Sequence, residues 1–209
     1  MQLVASVSDP ADIARAVADG ADMIELRLDL IPRNLPGSAL RTIRGCTLPI
    51  ILTVRTREEG GAFSGNTGEW QALIEPWLSL AAVVDIEQRF SATASDYRNL
   101  GKEIIASFHT DRMPSEHELR GIEVRLRGYG IPKIVVTPRS PEDVLSLCTF
   151  TLAADHPVIT STMGSRFRFA RIILPLFGSS HLFCAAGRPT AEGQFTVREA
   201  RAILDTLTR

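Results

Sequence analysis

Lysine is nearly absent from this 209-residue chain: of its 23 basic side chains only Lys102 and Lys133 are lysines, and the other 21 are arginines. Charge of one sign is not in excess either. The formal net charge of -1 excludes a bulk attraction to nucleic acid or to an anionic membrane surface. No apolar run approaches the roughly 20 residues of a membrane span. The 3 cysteines (Cys46, Cys148 and Cys184) are odd in number and lack metal-ligand spacing. They offer no disulfide framework and no metal site; Cys148 and Cys184 read as small core residues in a reducing compartment. The chain enters a strand-like run, Gln2–Val7, with no basic region and apolar segment before it. A soluble cytoplasmic protein is therefore expected.

What is present is a regular alternation. Short β-type runs fall at 2–7, 23–30, 49–56, 83–87, 102–109, 131–137, 157–162 and 182–186, with helical segments between them. Ser8-Asp9-Pro10 caps the first helix, Ser115-Glu116-His117-Glu118 has the form of a capping box, and Ser140-Pro141 places proline at a first helical position. The seventh run is followed by a helix predicted over 166–177, and the last helix spans 196–207. Eight strand–helix repeats without a linker predict an α/β fold, a compact (β/α)8 TIM barrel forming a single catalytic domain over 1–209. An open doubly wound sheet would normally carry a glycine fingerprint after its first strand, and Ser6-Val7-Ser8-Asp9 is none.

Lys133 lies inside the apolar run Ile131-Pro132-Lys133-Ile134-Val135-Val136. A strand interior gives its ammonium little water to reach, and desolvation favours the neutral amine, which attacks carbonyls. Arginine, used almost everywhere else in this chain, stays protonated and forms no imine. The alternative is a lysine paired to a buried carboxylate for structure alone. Lys102, at the start of a strand, reads as a surface charge.

The second run has the clearest pattern: Ile24, Leu26, Leu28 and Leu30 alternate with Glu25, Arg27 and Asp29. A period of two sends the aliphatic set towards the helices and the charged set into the barrel. Buried charges must pair with one another or with a ligand, and Asp29 and Asp85 are candidates for a purely internal network. Branched apolar side chains normally fill such an interior, so charges there favour a polar-ligand site. Arg55 falls at the end of the third run, with Glu59 just before Gly60-Gly61, and His109 ends the fifth run at the rim. Arg57, Glu58, Arg166 and Arg168 read as solvated, and His117, His156 and His181 as surface residues. Arg171 can reach an anion from the helix after the seventh run. Arg188–Gln194 has the glycine and small polar residues of a mobile lid but no glycine-rich phosphate cradle.

In register along the chain, these fragments resemble the type I 3-dehydroquinate dehydratases, the imine-forming branch of that activity in the shikimate pathway. The resemblance rests on Glu25-Leu26-Arg27-Leu28-Asp29, Arg55 with Glu59-Gly60-Gly61, Ser107-Phe108-His109, Ile131-Pro132-Lys133-Ile134 followed by Pro138, Met163 with Arg171, and Thr190-Ala191-Glu192-Gly193-Gln194. It implies that Lys133 forms an imine with a ring ketone and that His109 moves the protons. Glu59 would orient His109, and Arg171 would clamp the substrate carboxylate under Thr190 and Gln194. Glu25, Arg27 and Arg55 would bind ring hydroxyls, with Ser6 a further contact. Thr190 stands where the family usually carries serine, which keeps the hydroxyl and adds a methyl. The resemblance implies a small-molecule substrate, no cofactor beyond the lysine and no metal.

A class I aldolase also forms an imine on a barrel lysine, but it would normally act on a phosphorylated sugar. The missing phosphate cradle and the His109–Glu59 pairing argue against it. A non-catalytic barrel would be favoured by loss of the lysine or the histidine, and both are present. Leu145, Leu147 and Phe150 suit a homodimer face as well as they suit packing on the barrel.

Overall fold

A computed structural model describes residues 1–208. Eight parallel strands alternate with helices, in the sheet order β7-β6-β5-β4-β3-β2-β1-β8. The strands are β1 (Gln2–Val7), β2 (Met23–Arg27), β3 (Ile50–Thr53), β4 (Val83–Glu87), β5 (Glu103–His109), β6 (Ile131–Val136), β7 (Ile159–Thr162) and β8 (His181–Ala185). The helices are α1 (Ile13–Ala18), α2 (Gly37–Arg44), α3 (Thr67–Ile74), α4 (Ala94–Asn99), α5 (Glu116–Arg127), α6 (Pro141–Ala153), α7 (Ala170–Ile173) and α8 (Val197–Leu207). This is the expected (β/α)8 alternation.

By their contacts the residues fall into two compact units. One comprises Met1–Gln2, Ile86–Leu182 and Ala191–Gln194; the other comprises Leu3–Asp85, Phe183–Thr190 and the chain from Phe195 onward. In the first unit, Leu119, Ile122 and Leu126 of α5 join Leu147 and Phe150 of α6 in one core with Ile134 and Val136 of β6. Strand alternation then leaves Lys133 and Val135 on the opposite face of β6. The capping box expected at Ser115 forms, and Ser140, ahead of the expected first-turn proline, forms a second one with Asp143; together they fix where α5 and α6 begin. Leu147 and Phe150 are thus core residues of their own chain, and of the three proposed dimer-face residues only Leu145 stays exposed.

In the second unit the aliphatic residues of β2 are Ile24 and Leu26, paired in register with Ile50 and Leu52 of β3. Trp70 of α3 is wholly buried, and its indole Nε1 donates to the Val54 carbonyl at 3.3 Å. That bond ties α3 to the chain just beyond β3, immediately before Arg55.

Three predicted elements are markedly shorter than expected. The second run stops being strand at Arg27, because the Leu30 and Ile31 N–H groups turn back to the Arg27 carbonyl at 2.9 and 3.0 Å. Asp29 therefore sits in a turn, not on an inward strand position. The third run ends at Thr53, so Arg55 follows the strand. The helix predicted over 166–177 contracts to α7, because the preceding residues form tight turns, with Arg168 N–H to the Ser165 carbonyl and Arg171 N–H to the Arg168 carbonyl. Beyond it, Leu174–Phe177 winds as a 3-10 turn containing Pro175.

Trp70→Ala is expected to lower unfolding stability by about 3–5 kcal/mol, because it empties a wholly buried site. Trp70→Phe, which mainly forfeits the indole hydrogen bond, should cost far less; urea titration of both variants checks the order.

Candidate active site

The second unit supplies a set of matched charges and hydroxyls. Cross-strand register places Ser6 opposite Glu25, Arg27 opposite Thr53, and Thr53 opposite Asp85. Glu25 is buried, yet both its oxygens are satisfied: Ser6 Oγ donates to Oε2 at 2.5 Å and Thr53 Oγ1 to Oε1 at 2.9 Å. Arg55 bridges two carboxylates, with Nη2 at 2.9 Å from Asp85 Oδ1 and Nη1 at 3.2 Å from Glu59 Oε2. Arg27 donates from Nε and Nη2 to the two oxygens of Asp29 at 2.9 and 2.8 Å. Both of these buried arginines have a carboxylate partner, the condition under which such charges are tolerated.

The turn that carries Glu59 is shaped by its glycines. Gly60 has a φ of 85°, and a Cβ at Gly61 would lie 2.1 Å from the Arg55 carbonyl oxygen. Only glycine lets the backbone fold this closely over Arg55. Phe63 N–H to the Arg55 carbonyl and Gly61 N–H to the Thr56 carbonyl close the loop.

The first unit carries the lysine and the histidine. Lys133 is only 4% exposed and lies opposite Ser107 on β5 and Ile159 on β7. His109 ends β5 opposite Val135. Lys133 and His109 therefore share a face on adjacent strands, His109 two register positions nearer the C-terminal end, about 7 Å along the strand direction. Arg171 is buried on α7, and its Nη2 donates to the Glu192 carbonyl at 3.1 Å. Gln194 is also buried and accepts from the Ala191 N–H at 3.1 Å. Gly193, with φ of 79°, packs so close to Gly164 that a Cβ would meet the Gly164 carbonyl oxygen at 2.3 Å. Thr190 belongs to the second unit and is partly buried.

Two readings of the sequence change. His181 is not a surface residue: it begins β8, partly buried, with Nδ1 at 2.9 Å from Ser180 Oγ. Burial, then the charges of Lys133 and the N-terminal amine, hold it down to about 4 from the usual 6.5. Thr53 went unremarked in the sequence, although Ile51, Thr53 and Arg55 continue the period-two pattern that exposes it as an inward hydroxyl. Among the described residues no group of three His, Cys, Asp or Glu side chains is placed to hold a metal ion. Nor is any helix among them long and apolar enough to cross a membrane.

A (β/α)8 alternation carrying a buried lysine on its sixth strand, in a chain that ion-pairs the buried Arg27 and Arg55, defines a barrel enzyme. The model of the type I 3-dehydroquinase family matches residues 4–209. The 3-dehydroquinate dehydratase of Methanoregula boonei is 47% identical over 208 residues, 99% of this chain and 100% of that one. That of Methanospirillum hungatei is 37% identical over 99% of this chain and 81% of its own length. The crystal structure of the 3-dehydroquinate dehydratase from Aquifex aeolicus superposes with a TM-score of 0.86 at 26% identity, covering 100% of both chains. This chain belongs to the type I 3-dehydroquinase family, and is an enzyme of the hydro-lyase class.

The His181 shift has a sign that stability measurements will read. Its folded value lies below its unfolded one, so between pH 6.5 and about 4 the unfolded chain holds the extra proton and stability falls as pH falls. Replacement by Gln is expected to remove on the order of 1–3 kcal/mol of the stability lost between pH 7 and pH 4. Urea unfolding of both proteins at the two pH values checks this; identical losses would contradict it.

Proposed function

We propose that this chain converts 3-dehydroquinate to 3-dehydroshikimate and water through an imine on Lys133, a step of the shikimate pathway of aromatic amino-acid biosynthesis. The whole chain, 1–209, would serve as one catalytic domain, with no cofactor besides its own lysine. The observation that carries the reading is Lys133 itself. It is a buried lysine in a lysine-poor chain, on the same face as a histidine of the neighbouring strand. Family membership and the names of the relatives give the substrate.

The chemistry follows from these groups. Lys133 Nζ attacks the ring ketone, and the carbonyl oxygen leaves as water when the iminium forms. The iminium withdraws electrons and acidifies the adjacent C–H. His109 takes that proton, and the released pair forms an enamine. The pair then returns to expel the hydroxyl of the next carbon, which His109 protonates so that it leaves as water. Each such proton transfer contributes on the order of 10²–10⁴-fold. Hydrolysis of the remaining imine frees product and lysine.

The other roles are proposed in the same terms. Glu59 fixes the tautomer of the base. Arg171 takes the carboxylate with Gln194 and Thr190, and Glu25, Arg27, Arg55 and Ser6 recognise the ring hydroxyls. A polyhydroxylated carboxylate calls for guanidinium forks beside several acceptors, which this residue set provides. The reading needs a single chain, without a nucleic-acid or membrane partner.

Borohydride added during incubation with 3-dehydroquinate should fix a mass adduct on the peptide containing Lys133, and Lys133→Ala should abolish it. His109→Ala should still form the adduct while turning over at least 100-fold more slowly. An unmodified Lys133 in the active enzyme would sink the imine, and near-normal turnover of His109→Ala would remove His109 as the proton carrier.

A further inference from the structure

We propose that Asp29 is a positioning residue that presents one end of the Arg27 guanidinium to the polar ligand, an inference that rests on the function proposed above. The Asp29 side chain has no exposed surface, although it lies in the turn after β2 and not on the strand. Its two oxygens engage Arg27 as a fork, accepting from Nε at 2.9 Å and from Nη2 at 2.8 Å. Oδ2 also accepts the Ala62 N–H at 3.1 Å. One carboxylate thus fixes a guanidinium and pins the loop that follows Gly60 and Gly61.

The geometry of the fork decides what remains. Guanidinium is planar and carries five N–H donors. With the edge formed by Nε and Nη2 held by Asp29, Nη1 makes no hydrogen bond to any described residue. Arg27 lies opposite Thr53 in register and shares the face of Glu25. Its remaining donors therefore belong to the polar face of β2 and β3, with their direction set by Asp29 and not by the flexible arginine stem. A preformed donor orientation of this kind strengthens ligand binding by removing the ordering cost from the binding step.

Asp29→Asn keeps the shape but replaces one acceptor oxygen with an N–H donor, so the two-point fork cannot form. The test is a kinetic cycle of the unmodified chain, Asp29→Asn, Arg27→Met and the double variant with 3-dehydroquinate. Asp29→Asn should raise KM about tenfold while kcat stays within about threefold, the mark of lost binding that is common to ground and transition states. In the Arg27→Met background the same change should leave KM unaltered, because the group through which Asp29 acts is gone. The double variant also contains no stranded guanidinium. An unchanged KM in Asp29→Asn, or the same KM increment in both backgrounds, would overturn the proposal and leave Asp29 as a support of the turn. Absence of turnover by the unmodified chain would instead overturn the function on which the proposal rests.

Discussion

The pairing of the buried Arg27 and Arg55 with carboxylates is the constraint on which the rest of the second unit's interior depends. Arg55 lies between Asp85 and Glu59, and Arg27 is forked onto Asp29. An arginine cannot give up its charge, so a buried one without a partner would carry the full desolvation penalty. The pairs make the polar interior possible. They also leave it directional: the Glu25 oxygens face two hydroxyls, Arg27 retains a free edge, and Glu59 sits in a glycine-shaped turn folded over Arg55. Groups held in this way would need little reordering to engage a polar ligand.

Lys133 belongs to the first unit, on β6. Its register partners are a serine across the β5–β6 ladder and an isoleucine across β6–β7, and helices pack against the other face of its strand. Strand register, which is backbone geometry, sets its offset from His109. The relative placement of Lys133 and His109 along their strands is therefore set by the hydrogen-bonded ladder, backed by the α5–α6 core. Substitutions in that core, such as at Phe150 or Leu147, should be felt in catalysis through register as well as in stability.

Much of this was legible in the sequence because alternation carries it. Glu25 and Arg27 among aliphatic neighbours revealed an inward polar face, and Lys133 in an apolar run announced its burial. The strand–helix count conveyed the barrel. Legibility failed where the backbone leaves the periodic rule. Asp29 extends the alternation of β2 by one further position, yet the chain has already turned, so its carboxylate comes back to Arg27. The Arg166–Phe169 stretch has helical composition but closes into tighter turns before α7. His181 looked like a turn residue because Gly178 and two serines precede it; the bridge and hydrogen bonds that bring Ser179 and Ser180 beside Val158 are not local and leave no pattern. The partners of Arg55 and Glu25 arise from pairing across strands, which spacing along one strand does not specify.

Activation of the ketone as an imine, as proposed, is read directly from the fate of the ketone oxygen. Imine formation expels the carbonyl oxygen as water, and hydrolysis must take a new one from solvent. With 3-dehydroquinate carrying ¹⁸O at the ketone, single-turnover reaction in unlabelled water should give 3-dehydroshikimate whose ketone oxygen has come from solvent, well beyond the exchange seen without enzyme. Product that keeps the label through turnover would contradict the imine and leave Lys133 an electrostatic role only.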